Sequence, residues 1–478
     1  MKRGGTALSF YLASPHNDYY YNYCAGFLYP VRNLYINMER ILIADLSAHL
    51  ETEVLIRASV DVARQQGKMA FFDFRDRSGA VQGVVFGKPD VLEVAKELKQ
   101  EYAVEVKGIV HKRPEKMVNA NVQNGDIELE ITGITIVNAA EPMPFDLDGD
   151  LNLDTLLDNR PLTLRRKRER AVFKVQATIT KAWREYLDGE GFTEFQAPKL
   201  VGGDAEGGSE VFKVDYFDDK KAFLATSPQL YKQMMVGVFE RVYTIGQMFR
   251  AERSATTRHL SEISMMDFEM GHVTSYLDVI ATVSGLVKHI TKRVEETCAN
   301  ELAFLGAEKV LVPEVIPVLS LAEIHDIIQK ETGVDKHAEL DMEPEDERFI
   351  CEYAAKNLGS DFVFVTQFPT AKRAFYTKAN VENPEYSDSF DLLFRGLEMC
   401  SGAERISNHD DLVAKIASRG MDPEKFAFYL QAFKHGIPRH GGIGMGLERM
   451  TMKFCGLGNV KEATLFPRDM NRIDTLLS

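Results

Sequence analysis

The chain has 478 residues and a net charge of −14, with 45% hydrophobic and 27% charged residues. This length predicts two or three domains, and the composition is that of an ordinary globular protein. No apolar run approaches the roughly 20 residues that span a bilayer, which argues against a membrane-spanning protein. The acidic balance argues against general nucleic-acid binding but leaves RNA open, since positive charge can be concentrated locally.

The five cysteines are scattered, with no close pair: Cys24, Cys298, Cys351, Cys400 and Cys455. This spacing argues against a zinc ribbon or a disulfide framework and fits a protein of the reducing cytoplasm. Basic residues are concentrated in the segment 160–170. Two interpretations of this segment stay open, a solvated helix start and a local patch for RNA.

Residues 1–37 differ in character from the rest of the chain. Their first residues resemble a secretory signal only weakly, because the apolar stretch is short and no clean cleavage site follows it. The tyrosines at positions 19, 20, 21 and 23 suit neither a linker nor a targeting peptide. We therefore interpret residues 1–37 as an extension or an upstream start, with Met38 opening the main part of the chain.

Residues 38–140 carry the pattern of a small β domain. Apolar residues alternate from Val54 to Val62, which predicts a half-buried strand. Similar segments follow at residues 70–75, 80–86, 103–110 and 127–137. One helical segment is predicted at 91–98. Five short strands predict a closed barrel, with an OB-fold as the leading candidate and a fragment of a β-sandwich as the alternative.

A hinge is predicted at residues 141–165, which begin with two prolines and an aspartate-rich run. After it, apolar residues recur at helical spacing and predict an amphipathic helix ending near Gly189: Val172, Val175, Ile179 and Trp183. Helices and strands then mix without strict alternation, which favours an antiparallel or mixed sheet. The sequence therefore predicts an α+β protein whose second domain covers residues 166–478.

A helix start is predicted at residues 226–228, which offer an N-cap and a proline suited to the first turn. Gln229 and Lys232 follow three residues apart, on one helix face. An apolar stripe is formed by Leu230, Met234 and Val238. A glutamine and a lysine near a helix N-terminus could hold a carboxylate. Taken alone, the stretch fits an ordinary exposed helix face better.

Two arginines flank a polar loop, Arg250 in Phe249-Arg250-Ala251-Glu252 and Arg258 before His259. The strand-like segments 241–249 and 263–270 on either side predict a hairpin. Because arginine offers a fixed bidentate fork for phosphate, the hairpin could clamp a polyphosphate. Surface arginines in hairpins are common, so spacing alone does not decide between the two interpretations.

Two further stretches lie near the C-terminus. Asp391 and Glu398 are seven residues apart, and acidic pairs can hold magnesium, although spacing does not establish that the two converge. The glycine-rich run at 440–446 would let a backbone approach a nucleotide, with Arg449 in the first turn of the next helix. A glycine-rich turn before a core helix explains the same run. The chain has no Walker or Rossmann fingerprint, so ATP would be held another way.

These stretches resemble, in the family's order, the three motifs of the class II aminoacyl-tRNA synthetases. Gly191-Phe192 through Pro198 is similar to motif 1, whose proline lies at the dimer interface in that class. The stretch with Arg250 and Arg258 resembles motif 2. Gly444-Met445-Gly446-Leu447-Glu448-Arg449 resembles motif 3. The resemblance covers almost the whole chain after the extension.

A barrel before the catalytic domain is typical of the subgroup for aspartate, asparagine and lysine. The stretch from Ser227 to Gln233 is similar to the aspartyl motif of the archaeal and eukaryotic type, and asparaginyl enzymes lack its lysine. The resemblance implies an OB-fold anticodon-binding domain and a class II catalytic domain built on an antiparallel sheet flanked by helices. The implied reaction is ATP-dependent attachment of aspartate to tRNA(Asp) through an aspartyl-adenylate, with Mg²⁺, by a cytoplasmic homodimer. Charging of tRNA(Asn) is left open.

The resemblance also implies roles for single residues. Lys232 and Arg405 would bind the aspartate side chain and reject asparagine, because a neutral amide would leave both charges unpaired. Other aspartate-binding residues would be Glu206, Gln229, Arg250 and Ser401. Arg250 would also act in catalysis by bridging the α-carboxylate and the α-phosphate. ATP would be bound by Arg250, Glu252, Arg258, His259, Leu260, Glu398, Gly446, Leu447, Glu448 and Arg449. Magnesium would be held by Asp391, Glu398 and Ser401.

On the barrel, Phe72 and Phe74 share one strand face and Phe71 lies on the other. Exposed aromatic residues on such barrels stack unpaired bases, although a stray surface phenylalanine is the alternative. The resemblance implies that Phe71, Gln82 and Glu128 read the anticodon.

Two positions depart from the family pattern. Arg439 stands where relatives often have proline, and Ser254-Ala255 replaces a commoner His-Asn pair. Three rival functions are weaker. Lys232 argues against an asparaginyl enzyme, the retained motif residues argue against a catalytically silent RNA-binding paralogue, and the barrel argues against a tRNA-free asparagine-forming relative.

Overall fold

The computed structural model describes residues 38–120, 122–203, 210–254 and 256–474. Before them it describes the backbone of β1 (Tyr19–Cys24) and β2 (Phe27–Arg32), which pair antiparallel. The rest of the predicted extension lies outside the described residues. The chain divides into two compact units, residues 1–146 and 147–478. This division falls within the segment predicted as a hinge. Among the described residues, no helix is long and apolar enough to cross a bilayer.

Five strands of the first unit close into a barrel in the order β3-β4-β5-β7-β6. Its elements are β3 (Glu53–Gln66), β4 (Met69–Arg75), β5 (Ala80–Phe86), α1 (Pro89–Glu97), β6 (Ala103–Lys112) and β7 (Ile127–Asn138). Each predicted strand and the predicted helix are present, with bounds that differ by a few residues. The prediction of an OB-type barrel is therefore confirmed.

The core of the barrel follows from the alternation of side chains along its strands. In β4, Phe72 and Phe74 are fully buried, whereas the alternating residues Phe71 and Asp73 are half-buried on the outer face. The rings of Phe72 and Phe74 stack with centroids 5.7 Å apart. The predicted division of this strand into an inner and an outer face is confirmed.

The second unit contains a large sheet, a small sheet and the helices around them. Its strands are β8 (Thr193–Glu194), β9 (Leu200–Val201), β10 (Lys213–Asp215), β11 (Lys221–Leu224), β12 (Arg241–Phe249), β13 (Glu262–Gly271), β14 (Val318–Ser320), β15 (Phe362–Thr366), β16 (Ser389–Phe394), β17 (Glu398–Glu404) and β18 (His440–Gly446). Its helices are α2 (Leu153–Asp158), α3 (Arg160–Thr163), α4 (Lys167–Gly189), α5 (Gln229–Phe239), α6 (Tyr276–Thr297), α7 (Ala299–Leu305), α8 (Leu321–Thr332), α9 (Pro344–Tyr353), α10 (His409–Ser418), α11 (Ala427–Lys434) and α12 (Leu447–Phe454).

The large sheet has eight strands in the order β14-β15-β16-β17-β18-β13-β12-β8. The run from β15 to β12 is antiparallel, and the edge pairs β14–β15 and β12–β8 are parallel. A smaller sheet has the order β10-β11-β9. The predicted antiparallel-rich α+β architecture is confirmed.

The main core of the second unit lies between this sheet and the helices α4 and α6. The predicted apolar stripe of α4 is buried there, and Trp183 lies 6.3 Å from Phe268 of β13 between ring centroids. Helix α6 begins with a capping box in which Ser275 and Asp278 bond each other's backbone N–H groups. The helices α4 and α6 therefore pack against one face of β12 and β13 and stabilise their positions.

The barrel core leads to a stability prediction. Phe72→Ala removes a fully buried ring, so we expect the free energy of unfolding of the barrel to fall by about 3–5 kcal/mol. Hydrogen exchange of the barrel amides measures this loss. Phe71→Ala, on the outer face of the same strand, serves as the matched control and should cost clearly less. Equal losses for the two variants would contradict the assigned strand faces.

Candidate active site

A cavity of about 370 Å³ lies in the second unit, where the β12–β13 hairpin, β17, β18 and the segment 372–377 meet. Most of the predicted binding residues line it: Gln229, Arg250, Glu252, Arg258, His259, Leu260, Glu398, Ser401, Arg405, Gly446, Glu448 and Arg449. Among the described candidates, Lys232, Asp391 and Leu447 lie behind its wall. Glu206 lies outside the described residues. Sequence positions more than 200 apart thus meet in one site.

Four buried charges lie together at the base of the cavity, where Asp267 and Arg405 line it and Lys232 and Glu269 lie behind them. The Lys232 ammonium lies 2.9 Å from Asp267 Oδ1 and 3.5 Å from Glu269 Oε2, and it donates to the Ile443 carbonyl at 2.7 Å. The Arg405 guanidinium donates to both oxygens of Glu269, at 2.8 and 3.3 Å. We name Lys232, Asp267, Glu269 and Arg405 the charge quartet. Because burying a charge is costly unless it is paired, each member depends on the others.

The charge quartet corrects one expectation. Lys232 and Arg405 each have a carboxylate partner already, so a neutral ligand would not leave them unpaired as predicted. Although burial alone would raise the pKa of Glu269, Arg405 and Lys232 hold it below its ordinary value. Burial raises the pKa of Asp267 despite the neighbouring Lys232. The two cations are therefore balanced within the quartet itself.

The glycines of β18 make room for the two acidic side chains of β13. A Cβ atom at Gly442 would lie 2.2 Å from Glu269 Oε2, and one at Gly444 would lie 2.9 Å from Asp267 Oδ1. The predicted glycine-rich segment is therefore a central strand followed by α12, and the interpretation as a turn is wrong. Because Gly442 and Gly444 have no side chains, the space between β18 and β13 can hold the buried carboxylates of Glu269 and Asp267.

Helix α5 delivers Lys232 to the quartet. The helix begins at Gln229, whose backbone N–H donates a hydrogen bond to Ser227 Oγ at 3.1 Å. Gln229 and Lys232 are 4% and 1% exposed, so the interpretation of this face as ordinary exposed surface is wrong. Val238 is 64% exposed and does not extend the apolar stripe, because only the first part of α5 packs against the neighbouring helices.

The β12–β13 hairpin was correctly predicted, and its loop carries five of the predicted site residues into the cavity. Phe249 pairs with Glu262 at its open end, and the Arg250 N–H donates to the Ser261 carbonyl at 2.9 Å. His259 Nδ1 lies 2.6 Å from Thr256 Oγ1. Burial and the nearby Arg449 lower the pKa of His259, so its ring is neutral at neutral pH. The hairpin thus presents fixed positive charge and a neutral imidazole.

The first turn of α12 contributes the positive charge of Arg449 to the cavity, and Glu448 attaches the helix to β13. Arg449 Nη1 donates to the Glu398 carbonyl at 3.0 Å. Both Glu448 oxygens accept the Ser264 N–H, at 3.0 and 3.1 Å, and burial raises the pKa of Glu448 to about 7. Leu447 packs in the main core. The side chains of Leu447 and Glu448 therefore tie α12 to the sheet, and Arg449 faces the cavity.

Asp391 and Glu398, the pair predicted to hold magnesium, lie on neighbouring strands and close enough to influence each other's charge. Asp391 lies opposite Ser401 in neighbouring strands, and Ser401 Oγ donates to Glu398 Oε1 at 2.8 Å. Burial, with the Glu398 carboxylate nearby, raises the pKa of Asp391 to about 6, although Arg373 opposes the shift from 2.8 Å. Asp391 Oδ1 is buried and accepts no hydrogen bond from a described residue. Such oxygen donors fit magnesium.

Sequence reasoning missed Asp267, Glu269 and Arg373. The first two stand two residues apart on one face of β13, between the apolar residues Met266, Phe268 and Met270. A pair of acidic residues at that spacing in a buried strand is a usable signal, because such residues must have partners. Arg373 lies in a segment without regular structure, so no pattern in the sequence identified it.

The three candidates on the barrel share its outer surface. Phe71 of β4 pairs with Val84 of β5, and Gln82 pairs with Asp73 on the same two strands. Arg113 links the other two candidates, donating to Gln82 Oε1 at 3.0 Å and lying 3.9 Å from Glu128 Oε2. Adjacent strands thus bring an aromatic ring and polar groups together on one face.

Comparison with known proteins agrees with both units. Residues 152–470 match the family described as tRNA synthetases class II (D, K and N), and residues 54–137 match the OB-fold nucleic acid binding domain. The Aspartate--tRNA(Asp/Asn) ligase of Thermus thermophilus is 41% identical, over 91% of this chain and 99% of the relative.

Two further relatives agree. The cytoplasmic aspartate--tRNA ligase of Homo sapiens is 35% identical over 91% of both chains. The solved aspartyl tRNA synthetase of Entamoeba histolytica has a TM-score of 0.80 at 29% identity, and the match covers 92% of this chain and 93% of that one. This chain therefore belongs to the class II tRNA synthetases and, within them, to the aspartate–tRNA ligases. Enzymes of this family use ATP and act on an amino acid and a tRNA.

The charge quartet leads to a second stability prediction. Glu269→Ala leaves Arg405 without its carboxylate, so we expect the free energy of unfolding of the second unit to fall by about 3–5 kcal/mol. Urea unfolding followed by the fluorescence of Trp183 measures it. Glu301→Ala, which removes the surface partner of Lys174, is the control and should cost at most about 1 kcal/mol. A loss no larger than the control would contradict the importance of the quartet.

Proposed function

We propose that this enzyme joins L-aspartate to ATP, forming aspartyl-adenylate and pyrophosphate, and then transfers the aspartyl group to tRNA(Asp). One observation carries the proposal. Lys232 and Arg405 lie together at the buried base of the cavity, and the arginines of the hairpin and of α12 line its wall. An acidic amino acid fits the base, and a polyphosphate fits the wall.

The base would bind the aspartate side chain through N–H donors of Lys232 and Arg405 that remain beyond their bonds inside the quartet. The side-chain amide of asparagine would place its own N–H groups against these N–H donors. The donors of Lys232 and Arg405 would then be buried without acceptors, so asparagine would bind more weakly than aspartate. Asp267 lines the cavity and its Oδ2 accepts no hydrogen bond from a described residue, so it can accept from the α-ammonium group. Gln229, Ser401 and Glu206 would complete the aspartate site.

The ATP site would be formed by the hairpin and α12. Arg250 would bridge the aspartate α-carboxylate and the α-phosphate. Arg258 and Arg449 would bind the other phosphates, and Glu252 and the neutral His259 would contact the nucleotide. Leu260, Gly446, Leu447 and Glu448 would shape the remaining contacts, and Glu398 would face the phosphates. No described residue pairs with the Arg250 guanidinium, which supports its availability for an anion.

The chemistry needs no general base, because the aspartate α-carboxylate is itself the nucleophile. It attacks the α-phosphorus while the bond to pyrophosphate breaks on the opposite side. Arg250 lies where negative charge accumulates, so its guanidinium stabilises the transition state. The remaining groups hold the two substrates in line, and this positioning accounts for much of the expected rate.

Asp391, Glu398 and Ser401 would hold Mg²⁺. Magnesium would supply charge neutralisation at the phosphate oxygens. Arg373 fixes the Asp391 carboxylate, and the Ser401 hydroxyl fixes that of Glu398, so both donors are oriented before any ligand binds.

Phe71, Gln82 and Glu128 would read the anticodon, with the Phe71 ring stacking on a base. Charging of tRNA(Asn) as well is the second candidate function, and the Thermus thermophilus relative named for both tRNAs favours it. Charging of tRNA(Asp) and tRNA(Asn) transcripts, compared at equal concentration, separates the two.

We further propose a homodimer through the motif 1 region. Pro198 is exposed, and so are large apolar side chains in the neighbouring segments: Leu200, Phe212, Phe217, Val238 and Phe239. Apolar side chains at this exposure suit a surface that a second copy covers. We place the enzyme in the cytoplasm, where the four described cysteines, all free and buried, would stay reduced.

Arg250→Ala tests the chemistry. We expect the rate of aspartate-dependent exchange of pyrophosphate into ATP to fall by roughly 100-fold or more, because a donor to the developing charge is lost. The unchanged enzyme should support exchange with aspartate and not with asparagine. A rate near that of the unchanged enzyme in Arg250→Ala would refute the assigned role. The absence of exchange with either amino acid in the unchanged enzyme would favour a catalytically silent paralogue.

Phe71→Ala tests the barrel separately. We expect the KM for tRNA(Asp) to rise by roughly tenfold, since stacking on one base contributes about 1–3 kcal/mol. Aspartate-dependent pyrophosphate exchange, which needs no tRNA here, should keep its rate and serves as the internal control. An unchanged KM for tRNA would count against base stacking at this residue.

A further inference from the structure

The Arg258 guanidinium donates hydrogen bonds to two acceptors that do not line the cavity. Its Nη1 donates to Glu347 Oε2 at 3.0 Å, and its Nη2 donates to the Gly396 carbonyl at 3.2 Å. Glu347 belongs to α9, and Gly396 belongs to the turn between β16 and β17. Both contacts join parts of the chain 89 and 138 residues from Arg258. We name Glu347 and the Gly396 carbonyl the Arg258 cradle.

The two sides of the Arg258 cradle are themselves fixed. The turn has positive φ at Arg395 and Gly396, 50° and 78°, which suits a two-residue hairpin connection. A Cβ atom at Gly396 would lie 2.9 Å from Arg348 Cγ, so the turn packs directly on α9. Arg395 also bonds Asp361 Oδ2 at 2.9 Å. The helix and the turn therefore present their acceptors at a set distance from each other.

The charge around Glu347 fits a supporting role beside a polyphosphate site. Burial raises the pKa of Glu347, Arg258 opposes the shift, and the Glu398 carboxylate adds to it. The Glu347 side chain is 13% exposed, and Glu347 is not among the residues that line the cavity. Glu347 thus holds the guanidinium from behind, and the guanidinium has five N–H donors, so others remain for an anion in the cavity.

We propose that Glu347 is a positioning residue that holds the Arg258 guanidinium in place for the phosphates of ATP. This inference rests on the proposed role of Arg258 in ATP binding. An arginine side chain has many rotamers, and fixing it before the ligand arrives removes an entropy cost from binding. The opposite role, in which Glu347 competes with ATP for Arg258, predicts the opposite change in affinity.

Aspartate-dependent pyrophosphate exchange, with separate KM values for ATP and aspartate, tests the proposal in the full chain. Glu347→Ala should raise the KM for ATP about tenfold, which corresponds to roughly 1.4 kcal/mol, and leave the KM for aspartate unchanged. Glu347→Gln keeps an acceptor oxygen and should recover most of the ATP affinity. Glu345→Ala, at an exposed position of the same helix, is the matched control and should match the unchanged enzyme.

The outcomes separate the inference from the function on which it rests. A KM for ATP that stays the same or falls in Glu347→Ala overturns the positioning role, and so does an equal rise in both KM values. Failure of Glu347→Gln to recover the affinity also counts against it. Arg258→Ala provides the reference. If that variant leaves the KM for ATP unchanged, the proposed role of Arg258 itself fails, whatever Glu347→Ala shows.

Discussion

The pairing of two cations with two carboxylates beneath the cavity is the interaction on which the rest of the catalytic unit depends. Burying four charges is costly, and the cost is offset only when every charge has a partner in good geometry. Asp267 and Glu269 come from one strand, Lys232 comes from a helix, and Arg405 directly follows the last residue of β17. The positions of β13, β17, β18 and α5 are therefore coupled, and these elements form the base of the cavity.

The cavity above this base is strongly divided in charge. Arginines from the hairpin and from α12 gather on its wall. Glu398 lines the cavity beside Ser401, and the buried Asp391 is paired with Arg373. Arg258 and Arg449 are held by further contacts before any ligand binds, and Glu398 is held by Ser401. A site of this kind can work by placing charge, because little has to reorganise when the reaction begins.

Sequence reasoning was most successful where periodicity decides the structure. The alternation in β4 predicted which phenylalanines are inside the barrel, and the stripe of α4 predicted the helix that packs behind the sheet. It failed where partners come from distant parts of the chain. The face of α5 with Lys232 reads as polar and exposed, yet it is buried because Asp267 and the Ile443 carbonyl meet it there.

Local spacing and residue type were sufficient to predict the barrel, the mixed second unit and the order of three motifs with their arginines. The sequence by itself could not determine that Arg258 meets Glu347, or that Asp391 meets Ser401, since these pairs depend on strand register and on how α9 packs against a turn. The tertiary structure alone decided which charges are paired, because burial and distance exist only once the chain has folded.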